Sequence, residues 1–88
     1  MEIKYKKQFL KDLSKLPVSY RESIEDLVFE VIPNESPFSI MQRVSKMKGK
    51  NNYYKIRIGD YRIGLFIEND FLEFKRVRHR KDIYRYFP

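Results

Sequence analysis

Hydrophobic residues in the first third of the chain recur at helical spacing. Between residues 6 and 16, and again between Pro17 and Val31, they lie mostly three or four positions apart. The two apolar stripes are Phe9, Leu10, Leu13 and Leu16, and then Ile24, Leu27, Val28 and Val31. Such spacing brings the side chains of each stripe to one side of a helix. The sequence therefore predicts two antiparallel amphipathic helices joined near Pro17.

In the second half of the chain the hydrophobic pattern changes to a period of two. Tyr53–Ile58, residues 61–67 and residues 71–77 each alternate between apolar and polar positions. The pairs Gly-Asp at 59–60 and Asn-Asp at 69–70, which separate these segments, suit tight hairpin turns. This pattern predicts an antiparallel meander of three strands.

Shorter segments complete the predicted architecture. Ile3 and Tyr5 alternate with charged residues as in a short first strand, and Pro-Asn-Glu-Ser-Pro at 33–37 indicates a loop. Residues 38–46 fit an irregular or short helical connection, and residues 80–88 fit one helical turn or an extended tail docked on the sheet. The order β-α-α-β-β-β predicts a single α+β domain over residues 1–88, with a small antiparallel sheet, two N-terminal helices packed on one face and a short C-terminal segment.

The alternation also assigns side chains to the two faces of the meander. Its apolar rows can be buried against the helices, which leaves cations and aromatic rings on the open face. These residues are Lys55, Arg57, Arg62 and Lys75, with Tyr53 and Phe66 among them. Neighbouring strands lie about 4.8 Å apart, so the like charges repel one another. Bound phosphate would relieve that repulsion and the rings could stack on unpaired bases, although an ordinary solvated face is the alternative.

The charge of the chain is concentrated in its second half. Of the net +7, residues 46–88 carry twelve Lys/Arg against five Asp/Glu, whereas residues 1–45 carry seven of each. This asymmetry indicates either a polyanionic partner or a solubilising surface. The absence of Cys excludes disulfides and cysteine metal sites, and no apolar run approaches the roughly 20 residues of a membrane span. Because the polar N-terminus is unlike a signal peptide, the cytoplasm is the expected location.

Two blocks of the sequence resemble the RelE toxins. Residues 53–63, Tyr-Tyr-Lys-Ile-Arg-Ile-Gly-Asp-Tyr-Arg-Ile, resemble the central hairpin of that family, and Lys48 and Gly49 before it also fit. Residues 79–88, His-Arg-Lys-Asp-Ile-Tyr-Arg-Tyr-Phe-Pro, are similar to the C-terminal segment of archaeal-type members. Length and element order agree over the whole chain, and the specific part covers residues 48–88. We therefore expect a member of the RelE/ParE toxin superfamily.

The resemblance implies the toxin of a type II toxin–antitoxin system. RelE toxins are ribosome-dependent endoribonucleases that cut mRNA in the A site through attack by the RNA 2′-hydroxyl. The reaction leaves a 2′,3′-cyclic phosphate, uses no metal or other cofactor, and inhibits translation. The implied partners are a 70S-type ribosome with its mRNA and a RelB-like antitoxin. Operator DNA is expected to be bound only through the antitoxin, and no membrane is implied.

The resemblance also implies which residues perform the chemistry. The functional positions of the family correspond to Lys55 and Arg57 on the first hairpin strand, Arg62 after the turn, and Arg80 and Tyr84 in the C-terminal segment. Two departures leave the general base and acid open. Arg57 replaces a lysine of the better-known enteric form, and the C-terminal segment is shorter and carries His79 where some relatives have lysine.

Internal transesterification of RNA needs a base for the 2′-hydroxyl, cations at the phosphorane and an acid for the departing 5′-oxygen. Lys55 is the first candidate base, because nearby arginines disfavour its charged form. Arg57 is unsuitable as a base, since a guanidinium hardly ever loses its proton. Arg62 and Arg80 are predicted phosphate clamps. Tyr84 is predicted to stack on a base or to orient the sugar.

Other cations are assigned lesser roles. His79, the only histidine, is a further candidate acid or base because histidine as a residue type suits proton transfer near neutral pH, with a structural role as the alternative. The predicted contacts with RNA or the ribosome are Lys46, Lys48, Lys50, Lys75, Arg78 and Lys81. For the first three of these, simple solvation is the alternative.

Two other functions remain open from the sequence. The first is a ParE-like gyrase inhibitor on the same fold, which would not need the joint presence of Lys55, Arg57, Arg62, Arg80 and Tyr84. The second is an RNA-binding module without catalysis. In either toxin class we expect the antitoxin to cover the basic sheet face with acidic residues and apolar anchors, or to displace the tail at residues 83–87.

Overall fold

A five-stranded sheet forms the centre of the computed structural model, which describes all 88 residues. Its strands are β1 (Glu2–Tyr5), β2 (Ser45–Lys46), β3 (Tyr53–Ile58), β4 (Tyr61–Glu68) and β5 (Phe71–His79), in the spatial order β1-β5-β4-β3-β2. The helices are α1 (Lys7–Ser14), α2 (Val18–Asp26), α3 (Pro37–Arg43) and α4 (Ile83–Tyr86). A π-helical turn (Leu27–Val31) and a 3-10 turn (Ile32–Asn34) follow α2 without a break.

The predicted meander is confirmed. Strands β3, β4 and β5 are antiparallel neighbours, and β3 begins and ends at the predicted residues. Strands β4 and β5 continue slightly further than predicted, to Glu68 and His79. Asn69 in the second turn has a φ of 54° and Gly59 in the first turn a φ of 56°, the left-handed conformation that tight hairpin turns require.

The prediction of a wholly antiparallel sheet is wrong, because β1 runs parallel to β5. Ile3 lies opposite Leu72, and Tyr5 lies opposite Phe74. Hairpin turns fix the directions within the meander, whereas β1 joins the sheet only through the helices that follow it. Its direction is therefore set by the packing of α1 against β5 and not by a turn. The two-residue strand β2, which pairs with β3, was also not predicted.

The connection between α2 and the meander is more helical than predicted. The segment expected to be a loop contains the 3-10 turn, and α3 begins immediately after it at Pro37. The hydroxyl of Ser36 accepts a hydrogen bond from the Ser39 backbone N–H at 3.2 Å and so caps α3. Proline at the first helical position needs no N–H partner, which explains why this Pro-rich stretch starts a helix.

One face of the sheet packs against α1, α2 and the turns that follow α2. Its fully apolar core consists of Phe9, Leu13, Ile24, Val28, Ile32, Ile40, Ile56, Ile63, Leu65, Ile67, Leu72, Phe74 and Val77. The Tyr5 and Phe9 rings each stack on Phe74 with centroids 5.4 Å apart. Both predicted helical stripes and the three predicted apolar rows thus contribute to one core. None of the helices has the length and apolar character that crossing a membrane would require.

A β-bulge interrupts the pairing of β4 with β5. Gly64 lies opposite Arg76 and Leu65 lies opposite Phe74, so Lys75 has no partner on β4. Phe74 and Val77 are both in the core on either side of the bulge. Lys75 and Arg76 consequently both lie on the opposite face, next to each other.

The C-terminal segment covers the middle of the face that was predicted to be open. Ile83 and Phe87 are buried there with Met47, and α4 forms the single helical turn that was one of the two predicted alternatives. The Phe87 ring rests directly on Gly64, where an added Cβ would lie 2.6 Å from the ring carbons. Glycine is therefore needed in the centre of β4 for the tail to dock.

Candidate functional site

Lys55 and Tyr84 meet at one flank of α4. Lys55 extends from β3, and its Nζ donates a hydrogen bond of 2.8 Å to the Tyr84 hydroxyl. The same Nζ lies 5.4 Å from the centre of the Tyr84 ring. Tyr84 remains 58% exposed, so the pair is accessible to a ligand. Residues 29 positions apart in the chain are thus brought into direct contact by the docking of α4.

Three arginines form a row across the neighbouring strands. Arg57 on β3 lies opposite Arg62 on β4, and Arg62 lies opposite Arg78 on β5. Directly paired residues on antiparallel strands have Cβ atoms roughly 5 Å apart, so the three side chains start from adjacent positions on one face of the sheet. Lys55 is diagonal to Arg62, since it pairs with Gly64 in the same register. We call Arg57, Arg62 and Arg78 the arginine row.

Carboxylates do little to neutralise the arginine row. Arg57 and Arg62 take part in no ion pair, and Arg62 donates instead to the carbonyl oxygens of Gly59 and Tyr61 at 2.8 and 2.9 Å. Arg78 lies 3.7 Å from the carboxylate of Asp12, too far for a hydrogen bond. Because Arg57 and Arg62 have no carboxylate partner and Arg78 has only a long contact with Asp12, the row is suited to bind a phosphate group.

Arg80 approaches the same end of the sheet from the end of β5. Its backbone N–H donates to the Asp60 carbonyl at 2.7 Å, and its Nε lies 3.2 Å from the Asp60 carboxylate. Arg62 binds the carbonyl of Gly59 in the same turn. Both predicted phosphate clamps therefore border the β3–β4 turn, and Arg80 is exposed and held by an equally exposed partner.

His79 does not join this cluster. It lies two residues beyond the core residue Val77 on β5, and its ring packs edge-on against Tyr61 on the helix-bearing face, with centroids 5.5 Å apart. Its Nδ1 accepts a hydrogen bond of 3.1 Å from the Lys81 backbone N–H. The structure therefore separates His79 from Lys55 and Tyr84, and it supplies the structural role that was the alternative.

The remaining predicted RNA contacts are dispersed. Lys75 forms an ion pair of 2.8 Å with Glu73 and lies over the Phe66 ring, so its charge is largely matched. Lys81 is exposed beside the tail. The other three, Lys46, Lys48 and Lys50, are exposed around the connection from β2 to β3.

Asp12 is a functional candidate that the sequence did not reveal. This carboxylate on α1 is 5% exposed and accepts hydrogen bonds from Arg76 Nε at 2.7 Å and Arg76 Nη2 at 3.2 Å. It also accepts from the Val77 backbone N–H at 3.2 Å, beyond the point where β1 stops pairing with β5. Asp12 therefore provides the hydrogen-bond acceptor for a backbone N–H at the unpaired edge of β5, and it holds the Arg76 side chain of the bulge in place.

Arg76 and Tyr86 were likewise missed. The Tyr86 ring lies 3.9 Å from the guanidinium carbon of Arg78 and 5.0 Å from that of Arg76. The spacing of the apolar residues could have located the bulge. Leu72 and Phe74 are two positions apart, whereas Phe74 and Val77 are three positions apart. A strand with strict alternation would have placed Arg76 in the core.

The groups with shifted pKa values lie away from this surface. Burial, and to a lesser extent repulsion by Glu30, raises the pKa of the Tyr5 hydroxyl above 10.0. Hydrogen bonds from Arg43 at 2.6 and 2.7 Å lower the pKa of the Glu35 carboxyl. Tyr5 donates to the Val28 carbonyl and Glu35 pairs with Arg43, so neither group takes part in the cluster around Lys55.

Comparison with known proteins assigns the family. The family model of the ParE toxin of type II toxin–antitoxin systems matches residues 3–84. Toxin RelE3 of Methanocaldococcus jannaschii is 41% identical over 88 residues, which cover 100% of both chains. A chain in the crystal structure of the RelB-RelE antitoxin-toxin complex from Methanococcus jannaschii is 39% identical to this chain, with a TM-score of 0.76. The match covers 97% of this chain and 99% of the other.

More distant structures share the fold. A chain of the RelBE2 toxin-antitoxin complex from Mycobacterium tuberculosis has a TM-score of 0.71 at 18% identity, and the match covers 90% of this chain and 96% of the other. The extensive match to one family model and the relatives of equal length agree with each other. The chain therefore belongs to the RelE/ParE superfamily of type II toxin–antitoxin toxins, and within it to the archaeal RelE type.

Proposed function

We propose that the chain is a ribosome-dependent endoribonuclease that cuts mRNA in the A site and so inhibits translation. One observation carries the proposal: Lys55 contacts Tyr84 beside a row of arginines that form no hydrogen bond with any carboxylate. A surface that only binds RNA needs the cations. It does not need a lysine held between a tyrosine hydroxyl and the arginine row.

In this proposal Lys55 in its neutral form takes the proton from the RNA 2′-hydroxyl. The 2′-oxygen then bonds to phosphorus while the bond from phosphorus to the 5′-oxygen breaks, which leaves a 2′,3′-cyclic phosphate and a 5′-hydroxyl. The Tyr84 hydroxyl oxygen accepts from Lys55, so its own proton is directed elsewhere. That proton can orient the ribose or pass to the departing 5′-oxygen.

Arg57 and Arg62 of the arginine row stabilise the charge that develops on the phosphorane. Arg62 is central, since it has a cross-strand arginine on each side and keeps donors that its two backbone contacts do not use. Arg80 would contribute as a second clamp by exchanging Asp60 for phosphate, which its exposure permits. All of these roles are played by side chains of the chain itself.

We further propose that a RelB-like antitoxin holds the toxin inactive. The relatives from Methanococcus jannaschii and Pyrococcus horikoshii were crystallised as complexes of RelE with RelB. The net charge of +7 and the absence of ion pairs at Arg57 and Arg62 favour an acidic partner that covers the proposed active face.

The gyrase-inhibitor alternative is kept because the matching family model is described as a ParE toxin. Such an inhibitor would bind its target without cutting RNA, and the contact between Lys55 and Tyr84 would then have no catalytic purpose. A supercoiling assay with purified gyrase separates the two functions, since we expect no inhibition at toxin concentrations that cut mRNA on ribosomes.

The direct test adds purified protein to ribosomes that carry a defined message and an empty A site. We expect a cut within the A-site codon. Arg62→Ala should lower the cleavage rate by on the order of 100-fold, comparable to the loss of one preorganised charge-stabilising donor. Its fold should survive, because Arg62 is partly exposed and bonds only to its own turn.

Arg85→Ala is the matched control for this experiment. Arg85 is an exposed arginine of α4 that forms no ion pair or side-chain hydrogen bond, so its removal changes the net charge equally and leaves the cluster intact. Arg85→Ala should cut at nearly the wild-type rate. Equal rates for a folded Arg62→Ala variant and for Arg85→Ala would refute the proposed site.

A further inference from the structure

Helix α4 divides the basic face into two flanks. Successive residues of a helix are rotated by about 100°, so Ile83 and Phe87 point to the sheet while Tyr84 and Tyr86 project to opposite sides. Tyr84 contacts Lys55 on the flank proposed for catalysis, whereas Tyr86 contacts Arg76 and Arg78 on the other. Each flank thus has an aromatic ring over cations, and the proposed function uses only one of them.

The second flank keeps capacity to bind a ligand. Asp12 is already used by Arg76 and the strand edge, and the Arg78 side chain, 3.7 Å from the Asp12 carboxylate, forms no hydrogen bond. The Arg78 side chain is 30% exposed and the Tyr86 residue is 43% exposed. A planar guanidinium with free donors lies against a ring that is partly open to solvent, which is an arrangement that binds phosphate and stacks on a base.

The geometry of this flank is fixed before any ligand binds. Asp12, with a side chain only 4% exposed, holds Arg76 in a two-pronged contact, and the bulge places Lys75 beside it. Next to Tyr86 and Arg76 lies a cavity of about 300 Å³, to which Lys6 and Tyr53 also contribute. An anchored cation, an aromatic ring and an adjoining cavity are therefore present together.

We propose that Tyr86, Arg78 and Arg76 form a second nucleotide-binding subsite, which holds an unstacked base and its phosphate from an RNA strand while the first flank carries out the cut. This inference rests on the proposed function for its RNA substrate. The bound nucleotide belongs either to the message next to the cleaved bond or to ribosomal RNA. In both cases the recognition chemistry is the same.

Binding and cleavage are measured separately to test this subsite. Binding uses ribosomes programmed with a message whose A-site codon carries 2′-deoxy nucleotides and cannot be cut by the proposed chemistry. Tyr86→Leu and Arg78→Ala should raise Kd by on the order of tenfold to a hundredfold, as expected for the loss of one stacked base or one phosphate contact. Tyr86→Phe keeps the ring and Arg85→Ala removes an arginine elsewhere on α4, so both should stay within about threefold of wild type.

A purely structural role for Tyr86 makes a different prediction. If the ring only fastened α4 to the sheet, Tyr86→Leu would weaken binding by undocking the tail. The backbone amide resonance of Gly64 reports docking, because the Phe87 ring lies directly on it. If the subsite exists, Tyr86→Leu weakens binding while the Gly64 resonance stays unchanged. The subsite is refuted if binding by this variant stays at the wild-type level, or if binding weakens only when the Gly64 resonance shifts.

Two further comparisons separate the possible outcomes. Repeating the binding measurement with a message that ends at the A-site codon identifies the source of the nucleotide. A Tyr86→Leu effect that disappears assigns the subsite to the message, and one that persists assigns it to ribosomal RNA.

A wild-type protein that binds but leaves an all-ribose message uncut refutes the proposed function and not the subsite. A Tyr86→Leu variant that binds and cuts normally refutes the subsite alone.

Discussion

Replacing Gly64 by alanine tests how the tail positions the proposed active site. An alanine Cβ would lie 2.6 Å from the Cγ and Cδ2 atoms of Phe87, whereas carbon atoms in contact are normally about 3.5–4.0 Å apart. The ring must therefore move outward by roughly 1 Å. Gly64 does not have the positive φ that would itself disfavour alanine, so the effect of the substitution isolates this clash.

The expected loss of stability follows from this displacement. Overpacking of this kind costs about 1–3 kcal/mol. Complete undocking of Phe87 and Ile83, both nearly fully buried, would cost roughly 3–6 kcal/mol and sets the upper limit. In a chain of 88 residues, each 1 kcal/mol lowers Tm by about 4–8 °C. We therefore expect Gly64→Ala to melt at least roughly 4 °C below the wild-type protein.

Activity should fall with stability, because Tyr84 lies on the same short helix. A displacement of about 1 Å stretches the 2.8 Å hydrogen bond from Lys55 to Tyr84 beyond the usual limit, and misplacement on this scale can lower a reaction rate about 100-fold. The assay combines thermal unfolding with cleavage on programmed ribosomes, measured at a temperature where the variant is folded.

Phe87→Leu provides the matched partner for a double-mutant cycle. The smaller side chain leaves room for the new methyl group, so the double variant should lose less stability than the sum of the two single losses. Additive losses, or a Gly64→Ala variant that melts with the wild-type protein, would show that the ring does not rest on Gly64.

Three other changes test separate parts of the account. Lys55→Arg should keep RNA binding within about threefold of wild type while cleavage is nearly abolished, because a guanidinium group binds phosphate but is a poor base. Undiminished cleavage by this variant would exclude Lys55 as the base. Tyr84→Phe should slow single-turnover cleavage about tenfold through loss of the hydroxyl, and an unchanged rate would leave Tyr84 only a stacking role. Tyr5→Phe should cost about 1 kcal/mol near neutral pH by removing the hydrogen bond to the Val28 carbonyl. Since folding raises the pKa of Tyr5, its neutral hydroxyl stabilises the fold below pH 10.0. The stability advantage of the wild-type protein over Tyr5→Phe should therefore decline as the pH rises beyond that value. Urea unfolding of both proteins at two pH values measures this decline.

Local patterns predicted the meander well because each of its features depends on near neighbours. The alternation from Tyr53 to Ile58 and the two tight turns fix strand limits and direction without reference to the rest of the chain. The same alternation placed Lys55, Arg57 and Arg62 on one face, as the structure has them. Helical spacing likewise identified Phe9, Leu13 and Ile24 as core residues of α1 and α2, although Leu10 of the first predicted stripe is exposed.

The features that sequence did not predict depend on distant parts of the chain. The parallel pairing of β1 with β5 and the contact of Asp12 with Arg76, 64 positions away, have no local signature. The docking of Phe87 on Gly64 covers part of a face that alternation alone leaves open. The chemistry of His79 and its neighbour Arg80 favour a place in the site, but the alternation of β5 directs the His79 ring to the other face.

In the proposed reaction, the 2′-hydroxyl of an A-site nucleotide attacks the phosphate on the 3′ side of the same nucleotide. The most direct measurement compares ribosomes carrying an all-ribose message with ribosomes carrying messages that have a single 2′-deoxy nucleotide at each A-site position in turn. We expect a product with a 2′,3′-cyclic phosphate from the all-ribose message, and loss of that cut when the nucleotide on its 5′ side lacks the 2′-hydroxyl. Continued cutting at the substituted position, or no cutting of any message by the folded protein, would contradict it.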